Sequence, residues 1–101
     1  MPIKPKKQAM TIDAAETLAI RALSFLAEDA RRLSRFIALT GLDIADLKAR
    51  PPSTNVLAAI LDHLMTDEPL LLVFSSEVKV PPEEIGTALR VLSSSCGHAH
   101  E

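Results

Sequence analysis

Apolar residues recur every three or four positions along most of the chain, which is the spacing of one buried face of a helix. This pattern predicts six short helices. The first begins near Thr11 or Asp13, because either side chain can accept a hydrogen bond from an exposed backbone amide. Its apolar side comprises Ile12, Ala15, Ala19, Ala22, Leu23 and Leu26. We therefore predict an all-α fold, a compact bundle of about six short helices.

Capping residues mark the ends of the next two helices. Asp29 is predicted to cap helix 2, and Gly41 to end it in a left-handed conformation. Asp43 is predicted to cap a short helix 3 that stops at Arg50, because a Pro-Pro pair follows. The predicted buried side chains are Leu33, Phe36, Ile37 and Thr40 in helix 2, and Ile44 and Leu47 in helix 3.

The second half of the chain follows a similar scheme. Helix 4 is predicted to start after Ser53 or Thr54, and Asp67 to cap helix 5, with Pro69 tolerated in its first turn. Helix 6 opens at Pro81-Pro82-Glu83-Glu84, and residues 93–101 are predicted to form a tail. The buried side chains of helix 4 should be Val56, Leu57, Ile60, Leu61 and Leu64, and those of helix 6 Ile85, Ala88, Leu89 and Leu92.

The run Leu-Leu-Leu-Val-Phe at residues 70–74 could form either a helix or a strand, because its composition also suits a buried strand. Its Asp-Glu-Pro entry and its helical neighbours favour a helix. Five consecutive apolar residues cover most of a helix circumference, so helix 5 should be central or lie in an interface.

A shift of 38 residues aligns the two halves of the chain. It superimposes Leu23, Leu26, Asp29, Leu33 and Phe36 on Leu61, Leu64, Asp67, Leu71 and Phe74. The shared capping Asp and the paired Phe favour two similar three-helix units, 11–50 and 53–92, related by a pseudo-twofold axis or stacked. The alternative is that two amphipathic hairpins match by chance in a chain rich in leucine.

Composition places this bundle in a broad class. The chain of 101 residues is 48% hydrophobic with only three aromatic residues, all Phe, and a net charge of −2. Such values fit one domain, predicted at 11–95, and give no general attraction to nucleic acid or to an anionic membrane. Residues 1–10 should form a flexible basic arm and residues 96–101 a flexible tail. The single cysteine, Cys96, and the lack of a long apolar segment indicate a cytoplasmic protein.

Five segments carry a resemblance to a known family: AIRALSFLAED, RLSRFIALTGLDIADL, ILDHLM, DEPLLLVF and VPPEEIGTAL. With these segments the chain resembles, over about residues 12–92, the bacterial domain-of-unknown-function family 3572. The resemblance implies a short cytosolic bacterial protein, and it implies no activity, cofactor or catalytic residue. The tail after Leu92 is the least typical part.

Residues 29–40 and 43–50 have the outline of a helix-turn-helix, with Gly41 at the turn. The second helix, however, carries Asp43 and Asp46 at the end that would approach DNA, where carboxylates repel phosphates. Arg31, Arg32 and Arg35 on the outward side of helix 2 favour either a solvated face or an anion- or acidic-partner site. Nucleic acid is therefore not the expected partner.

Other candidate chemistry is weak. Cys96, His98 and His100 are possible metal ligands, but a mobile tail has no groups to orient them, so we predict no dedicated metal site. His63 lies at the position that corresponds to Phe25, where a hydrogen-bonded packing role is expected. No phosphate-binding glycine loop, nucleophile triad, HExxH or CxxC occurs, so no catalytic residue and no cofactor is predicted.

The sequence therefore favours a small non-catalytic interaction module that binds an unknown protein or itself, in the latter case as a homodimer. The predicted contact residues are Leu72 and Val73 on helix 5, if Leu70, Leu71 and Phe74 face inward. The alternative is a helix-turn-helix DNA-binding protein. An enzyme with an unrecognised site ranks below both.

Overall fold

The computed structural model describes residues 10–97 of the chain, and side chains as far as residue 94. This part contains no strand. Its helices are α1 (Ile12–Ala27), α2 (Ala30–Thr40), α3 (Ile44–Lys48), α4 (Thr54–Met65), α5 (Glu68–Val78) and α6 (Pro82–Gly97). The predicted all-α bundle of six short helices is confirmed, and the run at residues 70–74 is helical.

The first five helices begin at side chains that accept hydrogen bonds from the first-turn backbone amides. These caps are Thr11, Asp29, Asp43, Ser53 and Asp67. The cap of α3 is reciprocal, because Asp43 Oδ1 accepts from the Asp46 N–H and Asp46 Oδ2 accepts from the Asp43 N–H, both at 3.0 Å. Each cap satisfies backbone donors that have no partner inside the helix.

The centre of the bundle is formed by α1, α4 and α6, which pack against one another. Three alanines of α1, Ala15, Ala19 and Ala22, are fully buried, and their small side chains let the helix axes approach closely. The helices α2 and α5 lie outside this centre: α2 packs on α1 and α4, and α5 packs on α4 and α6. Of the two placements expected for helix 5, the central one is therefore wrong, and a place in an interface stays a prediction.

Helix boundaries in the two halves coincide when the chain is shifted by 38 residues. The helix α2 spans 30–40 and α5 spans 68–78, while α3 begins at Ile44 and α6 at Pro82. Both outer helices end at a residue in the left-handed region, Gly41 with φ 79° and Lys79 with φ 59°. These coincidences are what a duplication requires, and the duplication stays a prediction.

Several local features differ from the sequence-based expectations. The helix α3 ends at Lys48 rather than Arg50, whose Nη1 instead donates to the carbonyl oxygens of Leu47 and Ala49. The tail was predicted to begin at residue 93, but α6 continues to Gly97. The helix can continue because no Pro or Gly interrupts the chain between Leu92 and Gly97. Ile12 and Ile44 each begin a helix and are 47% and 46% exposed, because no other element covers the first turns of α1 and α3.

The two left-handed helix ends give a matched prediction. Gly41→Ala should lower the free energy of unfolding by about 1 kcal/mol, because a Cβ disfavours this backbone conformation. Lys79→Gly should raise it by a similar amount, about 0.5–1 kcal/mol, because it removes that strain. Urea unfolding followed by circular dichroism measures both. Effects of the same sign would contradict the explanation. Nothing lies within 4 Å of an added Cβ at Gly41, so a clash does not confuse the result.

Candidate interaction surfaces

The exposed side of α5 is apolar. Leu72 and Val73 are 50% and 43% exposed, whereas Leu71 and Phe74 point into the core and Leu70 is half-buried. Pro69, Leu72, Val73 and Ser76 follow helical spacing on this outward side and are all exposed. We call these four residues the α5 surface. Its orientation is the one that the proposed partner-binding role of Leu72 and Val73 requires.

The outward side of α2 provides a direct comparison, because α2 and α5 have the same length and begin at equivalent positions. Arg31, Ser34 and Arg35 occupy the places that correspond to Pro69, Leu72 and Val73, and all three are exposed. The same helical position in the fold thus accepts charged and polar residues. Folding alone does not require apolar side chains on the α5 surface.

The three candidate arginines do not form one site. The guanidinium carbon of Arg32 lies 4.4 Å from the centroid of the Phe25 ring, and its Nε is 3.8 Å from Asp29 Oδ2. Arg32 therefore covers the outer face of a core ring and is half-buried. Arg31 and Arg35 stay exposed, one helical turn apart.

The helix-turn-helix outline has a short second helix. The five residues of α3 make little more than one turn, and both carboxylates near its N-terminus belong to the reciprocal cap of Asp43 and Asp46. A DNA-reading helix presents donors and cations at this end. The structure gives α3 the opposite charge there.

An apolar groove lies between α1, α2 and α3 and has a volume of about 280 Å³. We call it the α1–α3 groove. Leu23, Leu33 and Leu47 are its less exposed lining, and Ile20 and Ile44 are its exposed apolar edges. Lys48 and Arg50 also line it, and no acidic residue does. Sequence periodicity did not indicate this groove, because it assigned Ile44 to the core and left Ile20 unassigned.

His63 on α4 is buried, with 5% of its surface exposed. Its ring meets Phe36 edge-on, with the centroids 5.2 Å apart and an interplanar angle of 75°. The expected packing role is thus observed, but the expected hydrogen bond is not, since the buried Nε2 has no partner. A surface hollow lined by His63 and Leu39 lies beside it, and Leu39 is 64% exposed.

The environment of His63 favours its neutral form. Burial lowers the pKa of the imidazole below its ordinary value of 6.5. The carboxylate of Asp67 opposes this decrease in pKa, Arg35 adds to it, and Asp62 opposes it.

The candidate metal ligands fall at the end of the chain. His98 and His100 lie outside the described residues, as does the side chain of Cys96. Between residues 10 and 97, the structure brings together no group of three or more His, Cys, Asp or Glu residues that could hold a metal ion. None of the helices in this range is both long enough and apolar enough to cross a membrane.

The chain is a small all-α bundle with apolar side chains exposed on α5 and along the α1–α3 groove. A family model described as "Protein of unknown function (DUF3572)" matches residues 12–95, and the chain belongs to this family. The sequence resemblance is thereby confirmed. No curated protein and no solved structure matches the chain.

The lowered pKa of His63 predicts a pH-dependent stability. Above the unfolded-state value of about 6.5 the ring is neutral in both states, so its protonation does not change the free energy of unfolding. As the pH falls below that value, the unfolded chain binds the proton first. The free energy of unfolding therefore decreases, and it levels off below the pKa of the folded state.

Urea unfolding of wild type and His63→Phe between about pH 7.5 and about pH 5 measures this effect. Phe is the matched replacement, because Phe25 occupies the corresponding position in the first half. The difference in unfolding free energy between the two proteins should grow in favour of His63→Phe as the pH falls. Parallel pH profiles would contradict the assignment.

Proposed function

We propose that this protein is a small non-catalytic interaction module of the bacterial cytoplasm. It binds a protein partner, or a second copy of itself, through the α5 surface. The observation that carries the proposal is the contrast between equivalent helices. Leu72 and Val73 stand exposed on α5 where α2 carries Ser34 and Arg35. Since the fold accepts polar residues at these positions, the apolar pair is best explained by a contact outside the chain.

Burial of Leu72 and Val73 in a contact would contribute a measurable part of the binding free energy. Full burial of a Leu or Val side chain contributes about 1.5–3 kcal/mol, and roughly half of that remains available at Leu72 and Val73. Together the two side chains can supply about 2 kcal/mol, which corresponds to roughly a thirtyfold change in affinity. The flanking acids Glu68 and Glu77 would give the contact a preference for basic groups on the partner.

DNA binding through α2 and α3 is the alternative, and it has less support. The end of α3 that would approach DNA carries the capping carboxylates of Asp43 and Asp46, and Arg32 is engaged with Phe25 and Asp29. Only Arg31 and Arg35 of the predicted trio are left for phosphates, and two contacts give weak binding. No cofactor or reaction forms part of the proposed function.

The double variant Leu72→Ser/Val73→Arg tests the α5 surface by giving α5 the residues that α2 already carries. The helix should persist, with a loss in unfolding free energy below about 2 kcal/mol, compared with about 3–5 kcal/mol for the core change Phe74→Ala. Binding should weaken by roughly thirtyfold. Circular dichroism measures folding. Crosslinking from residue 76 to proteins in a native bacterial lysate, followed by titration of each purified candidate, measures binding.

Leu39→Ser is the matched control, because Leu39 is the most exposed large apolar residue in the described part of the chain but lies outside the α5 surface. A genuine partner should bind the double variant more weakly than the wild type and should bind the control as tightly as the wild type. Its binding should also slow the exchange of backbone amide hydrogens along α5 of the wild type. Equal effects of the two changes would contradict the proposal. So would a double variant that unfolds, because Leu72 and Val73 would then be core residues.

Fluorescence anisotropy with random duplex DNA at low salt addresses the alternative. We expect no binding at micromolar protein, because an acidic α3 cannot approach the phosphates. Binding that weakens steeply as salt is added, and that is lost in Arg31→Ala/Arg35→Ala, would instead establish DNA binding.

A further inference from the structure

The α1–α3 groove has the shape and the charge of a binding site for an apolar helix that carries acids. Its apolar lining includes the exposed Ile20 and Ile44, which no element of the bundle covers. Lys48 lies one helical turn after Ile44, and Arg50 is nearby in the same lining. With no carboxylate among the lining residues, these two cations have no counter-charge inside the groove.

The equivalent place in the second half of the chain explains why the groove is open. Met65 there corresponds to Ala27, and its Cε lies 3.4 Å from the position that a Cβ on Gly86 would occupy. Gly86 in turn corresponds to Lys48. In the second half, the long apolar side chain of Met65 thus reaches from the end of α4 to Gly86 on α6. In the first half, Ala27 at the end of α1 is too short to reach Lys48 on α3. The groove is therefore a place where an apolar side chain from elsewhere can substitute for the missing one.

The volume of the groove limits what can enter. An apolar cavity of about 150 Å³ holds one benzene molecule, so 280 Å³ has room for two aliphatic side chains of moderate size. Two such side chains projecting from one helix are the usual anchors when an amphipathic helix binds in a groove. An acid one turn away from the anchors would pair with Lys48 or Arg50.

The α5 surface of this same chain has these properties. Leu72 and Val73 are two exposed aliphatic anchors, Glu68 lies four residues before Leu72, and Glu77 lies four residues after Val73. Both acids are exposed, and no basic residue occurs between Glu68 and Val78. Since α5 packs on α4 and α6, it is held away from the groove of its own chain.

We propose that the α5 surface of one copy binds in the α1–α3 groove of a second copy. This proposal rests on the proposed function and names its partner. The two contacting surfaces differ, so the association is heterologous, and its repetition produces a ring or an open chain of copies. Because only two anchor side chains enter the groove, we expect a weak association that depends on concentration.

Sedimentation equilibrium of the full chain from about 10 μM to about 1 mM tests the association. The average mass of the wild type should rise above that of the monomer across this range. The groove variant Ile20→Glu and the α5 variant Leu72→Ser/Val73→Arg should each weaken association at least tenfold. The control Leu39→Glu should associate like the wild type. Circular dichroism confirms folding, and Ile44→Ser replaces Ile20→Glu if that variant unfolds.

Mixing experiments decide which surfaces meet. The groove variant retains an intact α5 surface, and the α5 variant retains an intact groove. An equimolar mixture of the two should therefore form a 1:1 heterodimer and grow no further. Likewise, Lys48→Glu and Glu77→Lys should each weaken self-association and should recover it when mixed, because each then offers the charge that the other needs.

Four results would overturn the proposal. A wild type that remains monomeric throughout would exclude a second copy as the occupant and would leave the proposed function to be decided by its own binding test. Association lost in the α5 variant but kept in the groove variant would indicate an α5–α5 dimer. Association that is unchanged in the α5 variant would place the contact between copies on another surface and would leave the proposed function to its own binding test. Mixtures that fail to recover association would exclude the heterologous contact.

Discussion

Two ring contacts between the halves of the chain hold the bundle in its arrangement. Phe25 of α1 meets Phe74 of α5, and His63 of α4 meets Phe36 of α2, each with the centroids 5.2 Å apart. Positions 25 and 63 correspond under the 38-residue shift, and so do positions 36 and 74. Each contact is therefore the counterpart of the other, which is the reciprocity that a twofold arrangement produces. Both rings of each pair are buried.

These contacts also determine which side of α5 meets solvent. Successive residues of an α-helix are rotated by about 100° around its axis. With Phe74 directed at Phe25, Val73 and Leu72 are rotated away from the core, while Leu71, one helical turn before Phe74, returns to it. The exposed apolar pair is thus a direct result of the core packing. The functional proposal begins from this local geometry and from the polar residues that α2 carries at the same positions.

Helix positions were accessible from the sequence because short-range chemistry sets them. Asp29, Asp67 and Gly41 act on backbone groups within a few residues, so their roles follow from the local sequence. The position of α5 at the outside of the bundle could not be predicted from the sequence. Its five consecutive apolar residues suggested a helix that is either central or in an interface, and the small alanines of α1 allow α4 and α6 to take the centre.

The α1–α3 groove was missed for a related reason. The groove exists because the side chain of Ala27 is small and because α3 ends at Lys48. Neither feature changes the periodic pattern of apolar residues in the sequence. Only the comparison with Met65 and Gly86 in the second half reveals what is missing. The family assignment adds no activity, so the case for function comes from surfaces alone.

The reciprocal ring contacts also determine the unit of folding. Neither half contains a complete ring pair, because Phe25 and Phe36 both find their partners in the other half. A fragment ending near Arg50 would expose these rings to water and would lose α6 from beside α1. The whole described chain should therefore unfold in a single cooperative step. If a half-length ancestor existed, it could have been stable only as a pair of identical chains.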